Sequence, residues 1–269
     1  IGVNLLRLAR KKTVFYCHYP DVLLCTNRGT ILRRMYRWLF DWMERTTTAF
    51  CDVLVVNSQF TADQLAITFP NISKKVHVLY PPVDCCVPPK KVKVSPFFFS
   101  LNRFERKKDL PLVVQQFARA DLPSFELVIA GGFDSRLQEN TDVFNSLTQL
   151  VETLNLRDKV RILKNISEKD REFFLSHATA VIYSPHSEHF GIVPVEAMSV
   201  GTPVIAWNNG GPKESVVDGK TGILCNDRDE FGLAMQKIVD KKWGKNCMQR
   251  VEAMFSLKSF SKQLYKIIF

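Results

Sequence analysis

The chain has no Cys-x-x-Cys pair among its seven cysteines, at positions 17, 25, 51, 85, 86, 225 and 247. An odd count with that spacing argues against a disulfide framework and points to a reducing compartment, with the thiols used as small buried hydrophobes. No apolar run reaches the about 20 residues that a membrane-spanning helix needs. No complete signal peptide opens the sequence either. It starts Ile1-Gly-Val-Asn-Leu-Leu6 without a Met and passes into Arg7, Arg10, Lys11 and Lys12, so this start is expected to be the tail of a longer element. Zinc-finger spacing and aromatic ribonucleoprotein patterns are missing, and nucleic acid is not an expected partner. Internal repeats and low-complexity tracts are missing too. Acidic residues are in deficit: 27 Asp and Glu stand against 37 Lys and Arg, a formal charge of +10. That balance favours an anionic partner, either a phosphorylated substrate or an anionic membrane surface.

What is present is a globular composition, 46% hydrophobic and 24% charged over 269 residues. That is enough for one large domain or two modest ones. From Phe97 onward, short apolar runs alternate with longer amphipathic ones. Strands are predicted at Phe97–Leu101, Leu127–Gly131, Val160–Leu163, Ala180–Tyr183, Val204–Ala206 and Gly222–Leu224. Helices are predicted near Pro111–Ala120, Val143–Leu154, Glu168–His177, Pro194–Val200 and Asp229–Lys241. The alternation implies βαβ units and a parallel sheet covered on both faces, an α/β doubly wound domain.

The preceding part repeats the scheme less completely. Strands are expected at Thr13–Cys17, Val53–Val56 and Val76–Leu79, and helices at Arg28–Thr48 and Gln59–Phe69. Two or three strands are too few for a doubly wound domain, so this half is expected to lack its first units. The proline- and lysine-rich stretch from Tyr80-Pro-Pro-Val83 to Pro88-Pro-Lys-Lys91 suits a linker. The expected divisions are 1–88, 89–250 and a helical run to 269 that could pack back on the first half.

The most informative stretch is Ser184-Pro-His-Ser-Glu188-His-Phe190-Gly191-Ile192-Val193-Pro194-Val-Glu196-Ala-Met-Ser-Val-Gly201. It follows a strand and opens a helix; Pro194 suits a first helical turn and Gly201 a helix stop. Free backbone amides near Gly191, Ile192 and Val193 are then expected in the crevice at the strand ends, where a helix N-terminus receives a diphosphate. Glu196 is placed in the same first turn. Taken alone, it would be a dipole-stabilising carboxylate and Glu188 a solvated loop charge.

This pattern resembles the donor-site signature of the glycogen-synthase-like retaining glycosyltransferases (family 4), which share the two-domain GT-B fold. The resemblance extends through Gly210-Gly211-Pro212-Lys-Glu214 and Asp218-Gly-Lys-Thr-Gly222, and upstream to Asn102-Arg103-Phe-Glu-Arg-Lys-Lys108. It implies that Arg103 and Lys108 hold the donor diphosphate, with Lys107 the alternative one position earlier. A fork donor and a point charge suit a departing diphosphate. It also implies that Glu196 binds the ribose hydroxyls and that Glu188 sits beside the transferred sugar. Phe190, Gly210 and Gly211 go to the donor site on the same ground, and His18, after the first strand in Phe15-Tyr-Cys-His-Tyr-Pro-Asp21, reaches the sugar. The turn Asn57-Ser58-Gln59-Phe-Thr61 matches a family segment and receives no catalytic role.

Within the family, Phe15–Asp21, the Val56–Ala62 segment, Asn102–Lys108 and Glu188–Met198 look most like mannosyltransferases acting on the dolichol-linked core. That implies GDP-mannose as donor, a dolichol-diphosphate-linked Man-GlcNAc2 acceptor, and the cytosolic face of the endoplasmic reticulum membrane. Two other outcomes stay open: a non-catalytic nucleotide- or membrane-binding fragment, and a related transferase with another donor. Arg28–Thr48 interleaves Ile31, Leu32, Met35, Leu39, Trp42 and Met43 with Arg28, Arg33, Arg34 and Arg37. Such a helix either lies on a membrane or turns its stripe into a core. Asp227-Arg-Asp229 mimics a metal-holding pair, but its place before a helix points to N-capping. No catalytic metal or cofactor is expected. Asn71-Ile-Ser73 and Asn165-Ile-Ser167 fit the N-glycosylation tripeptide, and a cytosolic chain would use neither.

Overall fold

The computed structural model describes residues 12–24, 29–70, 72, 74–84 and 92–269, with the backbone alone at Arg33. The basic start through Lys11, Cys25, Arg28, Asn71 and Ser73 of the first glycosylation tripeptide, Cys85, Cys86 and the linker residues 87–91 lie outside the described residues. The chain forms two compact units. The described residues up to Pro82 together with Leu257–Phe269 make one, and Val83–Ser256 the other.

The larger unit carries a six-stranded parallel sheet. Its strands are β4 (Phe97–Leu101), β5 (Glu126–Gly131), β6 (Val160–Lys164), β7 (Ala180–Tyr183), β8 (Val204–Trp207) and β9 (Gly222–Cys225). They lie in the order β6-β5-β4-β7-β8-β9. The order reverses between β4 and β7, which pair through Phe98 with Ala180 and Phe99 with Val181. At such a reversal the connections leave in opposite directions, and a crevice opens at the strand ends. Phe98, Phe99, Leu127, Ile129, Val181, Ile182, Val204 and Ile205 are fully buried, as a parallel sheet covered on both faces requires.

Every strand predicted in this unit is present, with ends that differ by one residue at most. Helices differ more. Gln138–Thr153 starts five residues before the expected Val143, because its first turn is polar and carries only Asn140 inward. The structure ends the last expected helix of the sheet at Ile238 and adds a helix over Gly244–Met254, whose Gly-Lys-Asn start gives no apolar signal.

The smaller unit has, among the described residues, a three-stranded parallel sheet of β1 (Val14–Cys17), β2 (Val53–Val56) and β3 (Val76–Val78), in that order. Cys17, Cys51, Leu54, Val56, Ala62, Leu65 and Phe69 form its core. The helix predicted at Arg28–Thr48 runs over Ile31–Phe50. Its stripe does not enter that core: Ile31, Leu32, Met35, Leu39 and Trp42 are exposed, as are Tyr36 and Trp38. Arg37 departs from the expected basic face. It is buried and pairs with Asp21 and Asp41, both at 2.8 Å. The terminal helix is Leu257–Ile268. Lys12 Nζ donates to the carbonyl of Ile268 in the same unit.

Candidate active site

The crevice at the β4–β7 reversal is a cavity of about 370 Å³. Arg103, Lys108, Glu188, Gly191, Ile192, Val193 and Glu196 line it together with Gly131, Gly132, Arg171 and Tyr183.

The β4 wall is the Asn102–Lys108 segment. Phe104 is fully buried in an edge-to-face cluster with Phe133 and Phe144, and Asn140 Nδ2 donates to its carbonyl at 3.1 Å. Those contacts pin the segment and leave its cations on either side. Arg103 is well exposed and pairs with Glu105 at 2.8 Å; Lys107 meets the same carboxylate at 3.2 Å. Lys108 points inward from a 3-10 turn and is buried. Its carbonyl accepts from the buried Ser184 hydroxyl at 2.6 Å, and Trp207 Nε1 in turn donates to the Ser184 carbonyl at 2.9 Å. Close approach of β4 and β5 at this end requires a glycine, since a Cβ on Gly131 would stand 1.7 Å from the Asn102 carbonyl oxygen.

The β7 wall carries the glutamates. Lys108 Nζ donates to Glu188 Oε2 in a hydrogen-bonded ion pair. Burial pushes the Glu188 carboxyl up, but Lys108, then His189 and Lys107, outweigh it and hold the group below its usual value. His189 itself is lowered, chiefly by burial. Tyr183 ends β7 beneath this pair, and burial plus the nearby Glu188 and Glu196 charges push its hydroxyl well up. Gly191 adopts a left-handed conformation (φ 77°) and opens the helix Ile192–Ser199. The amides of Ile192 and Val193, at the start of that helix, have no intrahelical acceptor and border the cavity.

Several expected roles change. Glu196 is the fifth residue of its helix, two positions further in than expected, so it is not a first-turn dipole partner. Its Oε1 meets Arg171 Nη2 at 2.5 Å, while its Oε2 is buried without a hydrogen-bond partner. Phe190, Gly210 and Gly211 do not line the cavity. Phe190 is buried against Phe255. Gly211 donates to the Glu188 carbonyl at 2.8 Å, and a Cβ there would fall 2.1 Å from the Phe190 carbonyl oxygen. These three residues fix the loop that bears Glu188. Arg171 and Tyr183 carried no sequence signal, since one lies in a charged surface helix and the other at the end of an apolar strand.

In the smaller unit His18 is exposed just beyond β1, with its ring edge-on to Tyr16 at 4.8 Å. The Asn57–Thr61 turn supports it. Ser58 caps the helix Gln59–Thr68 by accepting from the Thr61 amide, and the Thr61 hydroxyl reaches the His18 carbonyl at 3.5 Å. Asp227 accepts from the amides of Asp229 and Glu230 at 2.9 and 3.0 Å, a cap on the following helix, while Asp229 pairs with Arg119. Among the described residues no three His, Cys, Asp or Glu side chains gather as a metal site. Asn165 uses both ends of its amide on the Phe133 backbone, at 2.7 and 2.8 Å, so its glycosylation would break the β5–β6 loop contact.

Residues 88–253 match the family described as glycosyl transferases group 1, and residues 1–86 match glycosyltransferase family 4. The chain is 40% identical to the alpha-1,3/1,6-mannosyltransferase ALG2 of Mus musculus, over 100% of this chain and 70% of that protein. Among solved structures, sucrose-phosphate synthase from Thermosynechococcus elongatus shares the fold at a TM-score of 0.79 and 22% identity, over 97% of this chain and 69% of that one. Anabaena Alr3699/HepE, solved in complex with UDP and glucose, does so at 0.75 and 19%, over 98% of this chain and 73% of that one. The α/β fold with parallel sheets is that of the GT-B glycosyltransferases.

Proposed function

We propose a donor, an acceptor and a division of labour among residues for a chain that belongs to the group 1 glycosyltransferases and, within them, to the alpha-1,3/1,6-mannosyltransferases. The donor is GDP-mannose and the acceptor a dolichol-diphosphate-linked Man-GlcNAc2 glycan of N-glycan assembly. The observation that carries the reading is one cavity that gathers three cations, two carboxylates and the amides of a helix start.

Each wall then has a task. Lys108, the Ile192 and Val193 amides, and Arg103 once it leaves Glu105 neutralise the departing diphosphate. Glu196 presents its unpartnered Oε2 to ribose hydroxyls. Glu188, kept ionised by Lys108, stands beside the sugar where oxocarbenium-like positive charge develops. The acceptor hydroxyl attacks on the face that the diphosphate leaves, so configuration is retained. His18 takes the sugar-side role that the family resemblance gives it, supported by its exposed place at the end of β1. No metal or cofactor takes part.

The acceptor's lipid calls for a membrane surface, and the helix Ile31–Phe50 supplies a fitting face. Trp38, Leu39 and Trp42 are exposed on it beside Arg34, and the chain as a whole is basic. Among the described residues no helix is long and apolar enough to cross a membrane. The proposed location is the cytosolic face of the endoplasmic reticulum membrane. Flotation with anionic liposomes, reduced in Trp38→Ser/Trp42→Ser, checks the face; unchanged flotation of that variant contradicts it.

The deciding experiment is a transfer assay with GDP-mannose and a lipid-linked Man-GlcNAc2 acceptor. Turnover by the chain, reduced roughly 10²- to 10³-fold in Glu188→Gln, is expected, the scale for losing one electrostatic stabiliser of a transition state. Nucleotide binding without turnover would overturn the enzymatic assignment for this chain, and preference for another nucleotide sugar would overturn the donor.

A further inference from the structure

Arg171 is the one cation of the cavity wall that the donor reading leaves without a task. It comes from the helix Glu168–His177, whose start is capped by Ser167. Its Nη2 lies 2.5 Å from Glu196 Oε1, and its Nη1 lies 3.2 Å from Glu168 Oε2. The side chains of Arg171 and Glu196 are 27% and 21% exposed, so the pair is largely withdrawn from water and stronger than a surface ion pair. The second oxygen of Glu196 is buried and accepts no hydrogen bond. A buried acceptor without a donor is costly, and a carboxylate with one oxygen anchored and the other vacant is set for a hydroxyl from a ligand.

We infer that Arg171 is a positioning residue: it holds Oε1 of Glu196 so that Oε2 faces the donor's ribose hydroxyls. The inference rests on the donor reading of this cavity. A guanidinium suits the task, because its planar fork engages two carboxylates at once: Glu168 holds the Nη1 arm while Nη2 anchors Glu196. The anchor belongs to a different helix from Glu196. The aim of the carboxylate is therefore set by the packing of two elements, not by the Glu196 rotamer alone.

The test compares calorimetric affinities for GDP and 2′,3′-dideoxy-GDP in four forms of the chain: unchanged, Arg171→Met, Arg171→Lys and Glu196→Gln. In the unchanged chain the dideoxy nucleotide is expected to bind roughly tenfold or more weakly, the scale of hydrogen bonds to a charged group. In Arg171→Met that ratio falls to about twofold while the thermal transition stays cooperative, and Arg171→Lys restores part of it. A merely structural or diphosphate-binding arginine would weaken both nucleotides equally and leave the ratio unchanged. The inference is overturned if Arg171→Met retains the full ratio while Glu196→Gln loses it. If Glu196→Gln also retains the ratio, the ribose role of Glu196 itself is wrong, and the inference falls with it. Should Arg171→Met fail to fold, Arg171→Lys decides: an unreduced ratio overturns the inference.

Discussion

Lys108 and Glu188, 80 residues apart in sequence, meet as a hydrogen-bonded ion pair at the reversal point of the larger sheet. On the proposed reading of the cavity a bound donor shares Lys108 with Glu188, and the pair links diphosphate binding at one residue to charge stabilisation at the other.

Removing one member exposes that link. Lys108→Ala is expected to lower transfer by about 10²-fold or more, through loss of both the diphosphate contact and the partner that keeps Glu188 ionised. Glu188→Gln, with Lys108 freed, keeps or improves GDP affinity while transfer falls. Steady-state kinetics together with calorimetry separate the two; equal loss of binding in both variants would contradict the division of roles.

Acid pH acts on the same pair. The carboxyl of Glu188 lies below its ordinary 4.5 in the folded chain, held down by Lys108, His189 and Lys107 against burial. A depressed carboxyl contributes stability that is present above about pH 4.5 and is lost as pH falls through the folded value. Lys108→Met leaves burial unopposed by its main cation, so stability near neutral pH falls while its further loss on acidification, followed by denaturant titration at a series of pH values, becomes shallower.

Gly211→Ala tests the support of the Glu188 loop. The added methyl falls 2.1 Å from the Phe190 carbonyl oxygen, and the overpacking should cost roughly 1–3 kcal/mol. Gly132→Ala is the matched control, since its Cβ meets only the Arg103 side chain at 3.6 Å. Denaturant titration should show a lower midpoint for the first and little change for the second.

Cys17, Cys225 and Cys247 are buried, and their thiols are pushed up to about 12 mainly by that burial. Thiolate being the reactive form, these three should resist a disulfide reagent at pH 8 until the chain is unfolded. Mass spectrometry of the labelled peptides checks it.

The sheet was legible because parallel strands buried on both faces leave unbroken apolar runs such as Phe97–Leu101 and Ala180–Tyr183. The cluster Arg103–Lys108–Glu188–Glu196 was legible only through the order of its motifs, since local chemistry makes each of these a plain surface charge. Arg171 and Tyr183 were not legible. Their places in the cavity wall arise from where two distant elements pack, and their own neighbours in sequence carry no trace of it. The supporting work of Phe190, Gly210 and Gly211 was hidden for the same reason: a motif marks that a residue matters near a site without saying whether it touches the ligand or holds the loop that does. Arg37 was misplaced because its burial follows from pairing with Asp21, 16 residues earlier, as well as with Asp41, and the stripe pattern of its own helix does not show that packing.

The central claim is that the cavity beside β4 and β7 is the donor site. Calorimetric titration with GDP-mannose, comparing the chain with Lys108→Ala, tests it most directly. Saturable 1:1 binding is expected, weakened about tenfold or more in the variant through loss of a charge-assisted contact. Equal affinity in the two, with both folded, would contradict it.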